Sequence, residues 1–201
     1  MYERSIIERN PWWISGSVPG ELIGITRREY LGKIEDRLKD QKLLAILGIR
    51  RSGKSTLIYQ SIKFLLQNGA DPKSIFYINA DDFEKPGRED IEKTLDFFQQ
   101  KNMVSLKDKK IYVFIDEIQN IRGWQQLLKK YYDLKFASKF IVSGSSSSLI
   151  YKNSSESLAG RISFIEVFRL HSGNFYNSMA WKSLMLRLIF KPWKDFILIF
   201  L

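Results

Sequence analysis

KLLAILGIRRSGKST, residues 42 to 56, joins an apolar run to a glycine-bracketed loop and then to two hydroxyl residues. Leu43 to Leu47 is short, uninterrupted and apolar, as a central parallel strand buried on both faces requires. Gly48-Ile49-Arg50-Arg51-Ser52-Gly53-Lys54-Ser55 fits G-x-x-x-x-G-K-[ST]. Small residues let a backbone wrap around phosphate oxygens and aim successive N–H groups at them. Beyond Thr56, Leu57, Ile58, Ile62, Leu65 and Leu66 form one apolar helical face, so the loop feeds a helix whose positive N-terminal end favours anions. The stretch therefore reads as a strand, a phosphate cradle and a helix, with Lys54 reaching for the β- and γ-phosphates. Ser55 is placed to ligate Mg²⁺. Arg50 and Arg51 lie inside the loop, where their side chains can face either phosphate or solvent.

The same alternation continues outward. REYLGKIEDRLKDQ precedes the stretch with Tyr30, Leu31, Ile34 and Leu38 at helical spacing. After it, IFYI, IYVFI, KFIV and ISFIEVF read as strands, with REDIEKTLDFFQQ and GWQQLLKKYYDL as helices between them. Strands alternating with helices imply right-handed crossovers and a parallel, doubly wound α/β sheet with helices on both faces. Residues 1 to 20 carry Pro11, Gly16, Pro19 and Gly20 and read as an irregular lead-in; the α/β domain is expected over 21 to 167.

Composition narrows the chemistry. At 201 residues the chain suits one α/β domain with a real core. It has no cysteine and one histidine, which removes disulfides and thiolate metal sites and all but removes histidine-based zinc sites and triads. No basic-then-apolar leader opens the chain and no apolar run approaches 18 residues, so a cytoplasmic protein without a membrane span is the expectation. A formal net charge of +10 permits an acidic partner such as nucleic acid, although the basic pairs are short and scattered.

IYVFIDE, residues 111 to 117, supplies a second constellation. An apolar strand ending in Asp116 puts a carboxylate at the C-terminal sheet edge, where ligands of open α/β sheets bind. Asp116 is then the Walker B aspartate that holds Mg²⁺, directly or through water, and Glu117 is suited to orient or deprotonate the attacking water.

An extra strand between the P-loop helix and the Walker B strand, with a glutamate after the aspartate, resembles the additional-strand catalytic-glutamate ATPases, which include AAA+ and RecA-like proteins. That resemblance implies a five-stranded P-loop NTPase sheet in the order 5-1-4-3-2. It also implies a sensor role for Ser143 toward the γ-phosphate or lytic water. GIRRSGKSTL, INADDF, VFIDEIQNIRGW, FIVSGSSSSLI and SLAGRISFIEVF, in that order over residues 20 to 167, are similar to the prokaryotic AAA ATPases rich in archaeal members. In that family a P-loop domain precedes winged-helix and nuclease-like domains. The resemblance makes Arg161 a nucleotide-sensing candidate and makes Asn79 a residue placed to restrain Glu117. It implies an ATPase using ATP and Mg²⁺, with Lys54, Glu117, Ser143 and Arg161 catalytic, Gly48 to Thr56 holding nucleotide, and Ser55 and Asp116 holding metal. A homo-oligomer or a partner protein stays open. So do two other readings: a nucleotide-binding module that does not turn over, and a basic nucleic-acid-binding protein with a regulatory ATP site.

After the last strand the family continues with PLSFREF, whereas this chain reads FRLHSGNFYN. HSGNFYN, residues 171 to 177, has synonymous codons that spell FREFLQ when read one frame over. The expectation is a reading-frame slip near residue 168, an unpacked tail ending in the aggregation-prone FILIFL, and slow or absent hydrolysis by the chain alone. The alternative is a genuine short variant with an amphipathic C-terminal helix.

Overall fold

In the computed structural model, which describes residues 2–107, 110–145 and 158–169, five strands form one parallel sheet. They are β1 (Leu43–Leu47), β2 (Ile75–Asn79), β3 (Tyr112–Asp116), β4 (Lys139–Gly144) and β5 (Ile162–Glu166). Their order is β2-β3-β4-β1-β5, the order the sequence resemblance implies. The reading-frame expectation for the tail falls on residues 170–201, outside the described residues.

Strand side chains alternate between two cores, as the two-residue period of a strand dictates. Leu43, Ala45 and Leu47 join Phe76, Val113, Ile115 and Val142 on one face. There they meet α6 (Arg88–Asn102) through Ile91, Leu95 and Phe98, and α7 (Trp124–Asp133) through Leu127 and Leu128. Leu44 and Ile46 join Ile75, Phe114 and Ile141 on the other face. They pack on α4 (Arg28–Arg37) through Ile34 and on α5 (Lys54–Gln67) through Leu57, Ile58 and Ile62. β1 is buried along its whole length, which is why its sequence shows no polar alternation.

The lead-in is not irregular. Residues Tyr2–Arg9 form α1 and Trp12–Ser15 form α2, before a third short helix, α3 (Gly20–Ile23). The first two helices seal the free edge of β2, whose outward backbone groups have no strand partner. Asn10 acts as a substitute strand: its Nδ2 donates to Tyr77 O at 2.8 Å and its Oδ1 accepts from Tyr77 N at 2.7 Å. The indole N–H groups of Trp12 and Trp13 both donate to Ile75 O, at 3.0 and 2.7 Å. A buried edge needs these partners because an unsatisfied buried backbone group is costly. Asn10→Ala strips two hydrogen bonds from the buried Tyr77 backbone and is expected to destabilise the fold by about 2–4 kcal/mol. A denaturant midpoint unchanged from the unsubstituted chain contradicts this.

Candidate functional site

Sheet register carries the separate motifs to one edge. Asn79 pairs with Asp116, Ile115 with Val142, Ile46 with Ser143, and Leu47 with Gly144. The C-terminal ends of β2, β3, β4 and β1 therefore line up, and the loop of residues 48–53 rises from the same edge.

Two glycines in the loop are obligatory. A Cβ on Gly48 stands 2.3 Å from Val167 O and 2.7 Å from Ser52 Oγ, so any side chain there forces the loop off the residue that follows β5. Gly53 has φ +91°, a conformation that side chains resist, and it turns the chain directly into α5. The first N–H groups of α5 are left without helical partners at this end. Ser52 is buried, and its Oγ finds no hydrogen-bond partner among the described residues. An orphaned hydroxyl beside unpaired N–H groups fits a cradle that takes an anion. Ser55 and Thr56, half-buried, follow Lys54 in the first turn of α5. Ile49, Arg50 and Arg51 are exposed, so the two arginines present themselves to solvent in this structure.

Lys54 lies folded under the loop. Its Nζ donates to Gly48 O at 3.1 Å and Ile49 O at 3.4 Å, and stands 3.5 Å from Glu117 Oε1. Glu117 leaves β3 with φ +54°, an uncommon backbone for a residue with a Cβ and a common one at functional positions. Burial by itself raises the pKa of its carboxyl. Hydrogen bonding from Gln119 and the charge of Lys54 outweigh that, leaving the group below the usual carboxylate value and ionised at neutral pH.

Asp116 is 1% exposed. Ser143 Oγ donates to its Oδ1, and Tyr77 OH donates to its Oδ2 at 3.1 Å. Ser143 Oγ also accepts from Glu117 N at 3.2 Å, so one hydroxyl ties the aspartate to the glutamate that follows it. Burial, then the charge of Asp116, pushes the Tyr77 phenol far above its ordinary pKa, so Tyr77 stays a donor. Among the described residues both hydrogen-bond partners of Asp116 are neutral and no cationic side chain pairs with it, so a divalent cation is a fitting complement to this buried carboxyl group. Among the described residues no cluster of three His, Cys, Asp or Glu side chains stands ready to hold a metal alone.

Sequence reading misses Tyr77 and Gln119. Tyr77 looks like one more apolar strand residue. Gln119 Nε2 donates to Glu117 Oε2 at 2.5 Å and to Ser145 Oγ at 3.1 Å, while its buried Oε1 has no partner among the described residues. Its signal was the polar residue two positions after the glutamate.

Two expected residues are elsewhere. Asn79 does not hold Glu117; its side-chain oxygen accepts from Asp81 N at 3.0 Å and caps the short turn after β2. Arg161 lies at the opposite sheet edge, because its carbonyl accepts from Leu43 N at the start of β1. The length of β1, about 15 Å, separates it from the loop. There its Nε pairs with Asp133 Oδ1 at 2.9 Å, and its guanidinium lies over the Tyr132 ring at 5.9 Å.

Comparison with known proteins gives the family and the fold. The family described as an AAA domain matches residues 40–176. An uncharacterized protein of Haemophilus influenzae is 31% identical over 155 residues, which are 77% of this chain and 38% of that protein. The chain thus spans well under half the length of that relative. The Walker-type ATPase of Pyrococcus abyssi shares the fold with a TM-score of 0.54 at 22% identity, over 79% of this chain and 58% of that one. The Orc1 protein of Aeropyrum pernix, solved in complex with DNA, gives a TM-score of 0.54 at 14% identity, over 81% of this chain and 49% of that one. No helix among the described residues is long and apolar enough to cross a membrane.

Proposed function

The chain belongs to the AAA domain family, and from that premise we propose that this sheet edge binds ATP with Mg²⁺ and hydrolyses it to ADP and phosphate, with slow turnover by the 201-residue chain alone. One observation carries the reading: Lys54, under the phosphate cradle, stands 3.5 Å from Glu117, the carboxylate that follows a buried aspartate. The loop amides and Lys54 hold phosphate oxygens, and Ser55 with Asp116 holds the metal. When bound, the metal draws charge from the phosphate oxygens. Glu117 accepts a proton from the attacking water, and Ser143 keeps Glu117 in register with Asp116. When Lys54 turns from Glu117 to phosphate, the carboxylate loses a charge that lowered its basicity. Gln119 still holds Oε2, which keeps the carboxylate oriented. Arg161 takes no part in this scheme within one chain.

The test is the magnesium dependence of ATP binding. Calorimetry on the unsubstituted chain should show tighter binding with Mg²⁺ than with a chelator. Asp116→Asn should lose about tenfold of that difference, the worth of a charge-assisted contact. An Asp116→Asn chain with the full magnesium effect removes Asp116 from the metal site. No binding by the unsubstituted chain in either condition ends the reading.

A further inference from the structure

Arg27 lies 21 positions before the loop's first glycine and outside the matched family segment, residues 40–176. Its guanidinium nevertheless reaches the loop. NH1 donates to Ser52 O at 2.8 Å, and NH2 donates to Phe168 O at 2.8 Å. The group lies over the Tyr30 ring at 4.3 Å, and Tyr30 OH accepts from Phe168 N at 3.3 Å. The Arg27 backbone is anchored as well, with its N–H donating to Gln60 Oε1 at 3.3 Å. Gln60 is on α5, and its Nε2 donates to Ile23 O and Ile25 O at 2.7 and 2.9 Å. The whole segment from Ile23 to Arg27 is thereby fastened to the helix that the loop feeds.

In a trans peptide the C=O and N–H point in opposite directions. The peptide between Ser52 and Gly53 has its carbonyl drawn outward onto a charged donor. Its N–H, on Gly53, therefore points away from Arg27 and finds no acceptor among the described residues. Gly53 is also the residue with φ +91°, so this peptide has the fewest steric restraints against flipping. A flip would aim a carbonyl oxygen at the bound phosphate in place of an N–H.

We propose that Arg27 is a positioning residue for the phosphate cradle: by holding the Ser52 carbonyl it keeps the Gly53 N–H turned toward the anion. This rests on the nucleotide-binding reading above. Only a fork-shaped donor serves, because two carbonyls on separate segments are bridged at once, and a lysine ammonium is not shaped for that. The arm to Phe168 makes the strand exit after β5 part of the same clamp.

The experiment uses the full 201-residue chain, isotope-labelled, as Arg27→Ala and Arg27→Lys. The Gly53 amide resonance is followed without nucleotide, and ATP affinity is measured by calorimetry. Arg27→Ala should move or broaden the Gly53 resonance and weaken ATP binding about tenfold, with the melting transition still cooperative. Arg27→Lys should recover only part of the affinity. If Arg27→Ala does not fold, Arg27→Lys, which keeps the stem and one cationic donor, carries both readouts. An unmoved Gly53 amide overturns the inference, and so does a moved amide with unchanged affinity. If the unsubstituted chain binds no ATP, the nucleotide reading fails, while the Gly53 resonance still decides what Arg27 holds.

Discussion

Glu117→Gln is expected to lower ATP hydrolysis by about a hundredfold or more while leaving ATP binding intact or slightly tighter. The loss follows from chemistry, since an amide cannot take the proton that the carboxylate accepts from water. The retained affinity follows from charge. Glu117 stands beside Lys54 at the mouth of a cradle for polyanions, so removing its negative charge frees Lys54 and relieves repulsion toward phosphate. Its ionised state at neutral pH, favoured by Gln119 and Lys54 against the effect of burial, is what makes the charge count. Single-turnover hydrolysis and calorimetry separate the two quantities. Hydrolysis at the unsubstituted rate takes Glu117 out of the mechanism, and a large loss of ATP affinity makes it a binding residue instead.

Lys54→Ala is expected to act on binding first, weakening ATP affinity by about ten- to a hundredfold, the range of one charge-assisted contact to phosphate. The loss is smaller than the gross contact energy. In the structure Lys54 donates to Gly48 O and Ile49 O and pairs with Glu117, and those contacts must be exchanged for contacts to phosphate. The substitution also strips a counter-charge from a half-buried carboxylate, so a modest loss of stability should accompany it. Equal affinity of the two chains for ATP contradicts the role of Lys54.

The motifs and the architecture were legible because both are written in local pattern. Leu43 to Leu47 announces a doubly buried strand through its composition, and the G-x-x-x-x-G-K-[ST] spacing announces a loop that only glycines at 48 and 53 can form. Alternation of strands and helices then leaves few ways to wind a parallel sheet. The lead-in was misread because helices of eight and four residues are too short to display a period, and because their work is done by side chains. Nothing local in Asn10, Trp12 or Trp13 says that their polar atoms stand in for a missing strand.

What the residues determined by themselves was the order of elements, the loop and the acidic strand end. What the tertiary structure alone decided was which distant side chains those features meet. Tyr77 reaches Asp116 across 39 positions, Arg27 reaches Ser52 across 25, and Asn10 reaches Tyr77 across 67. Arg161, next to the strand that borders β1, ends at the wrong edge of the sheet for the loop. The physical reason is register: a strand's composition predicts that it is buried, but its neighbours and their alignment set which atoms come within hydrogen-bonding distance.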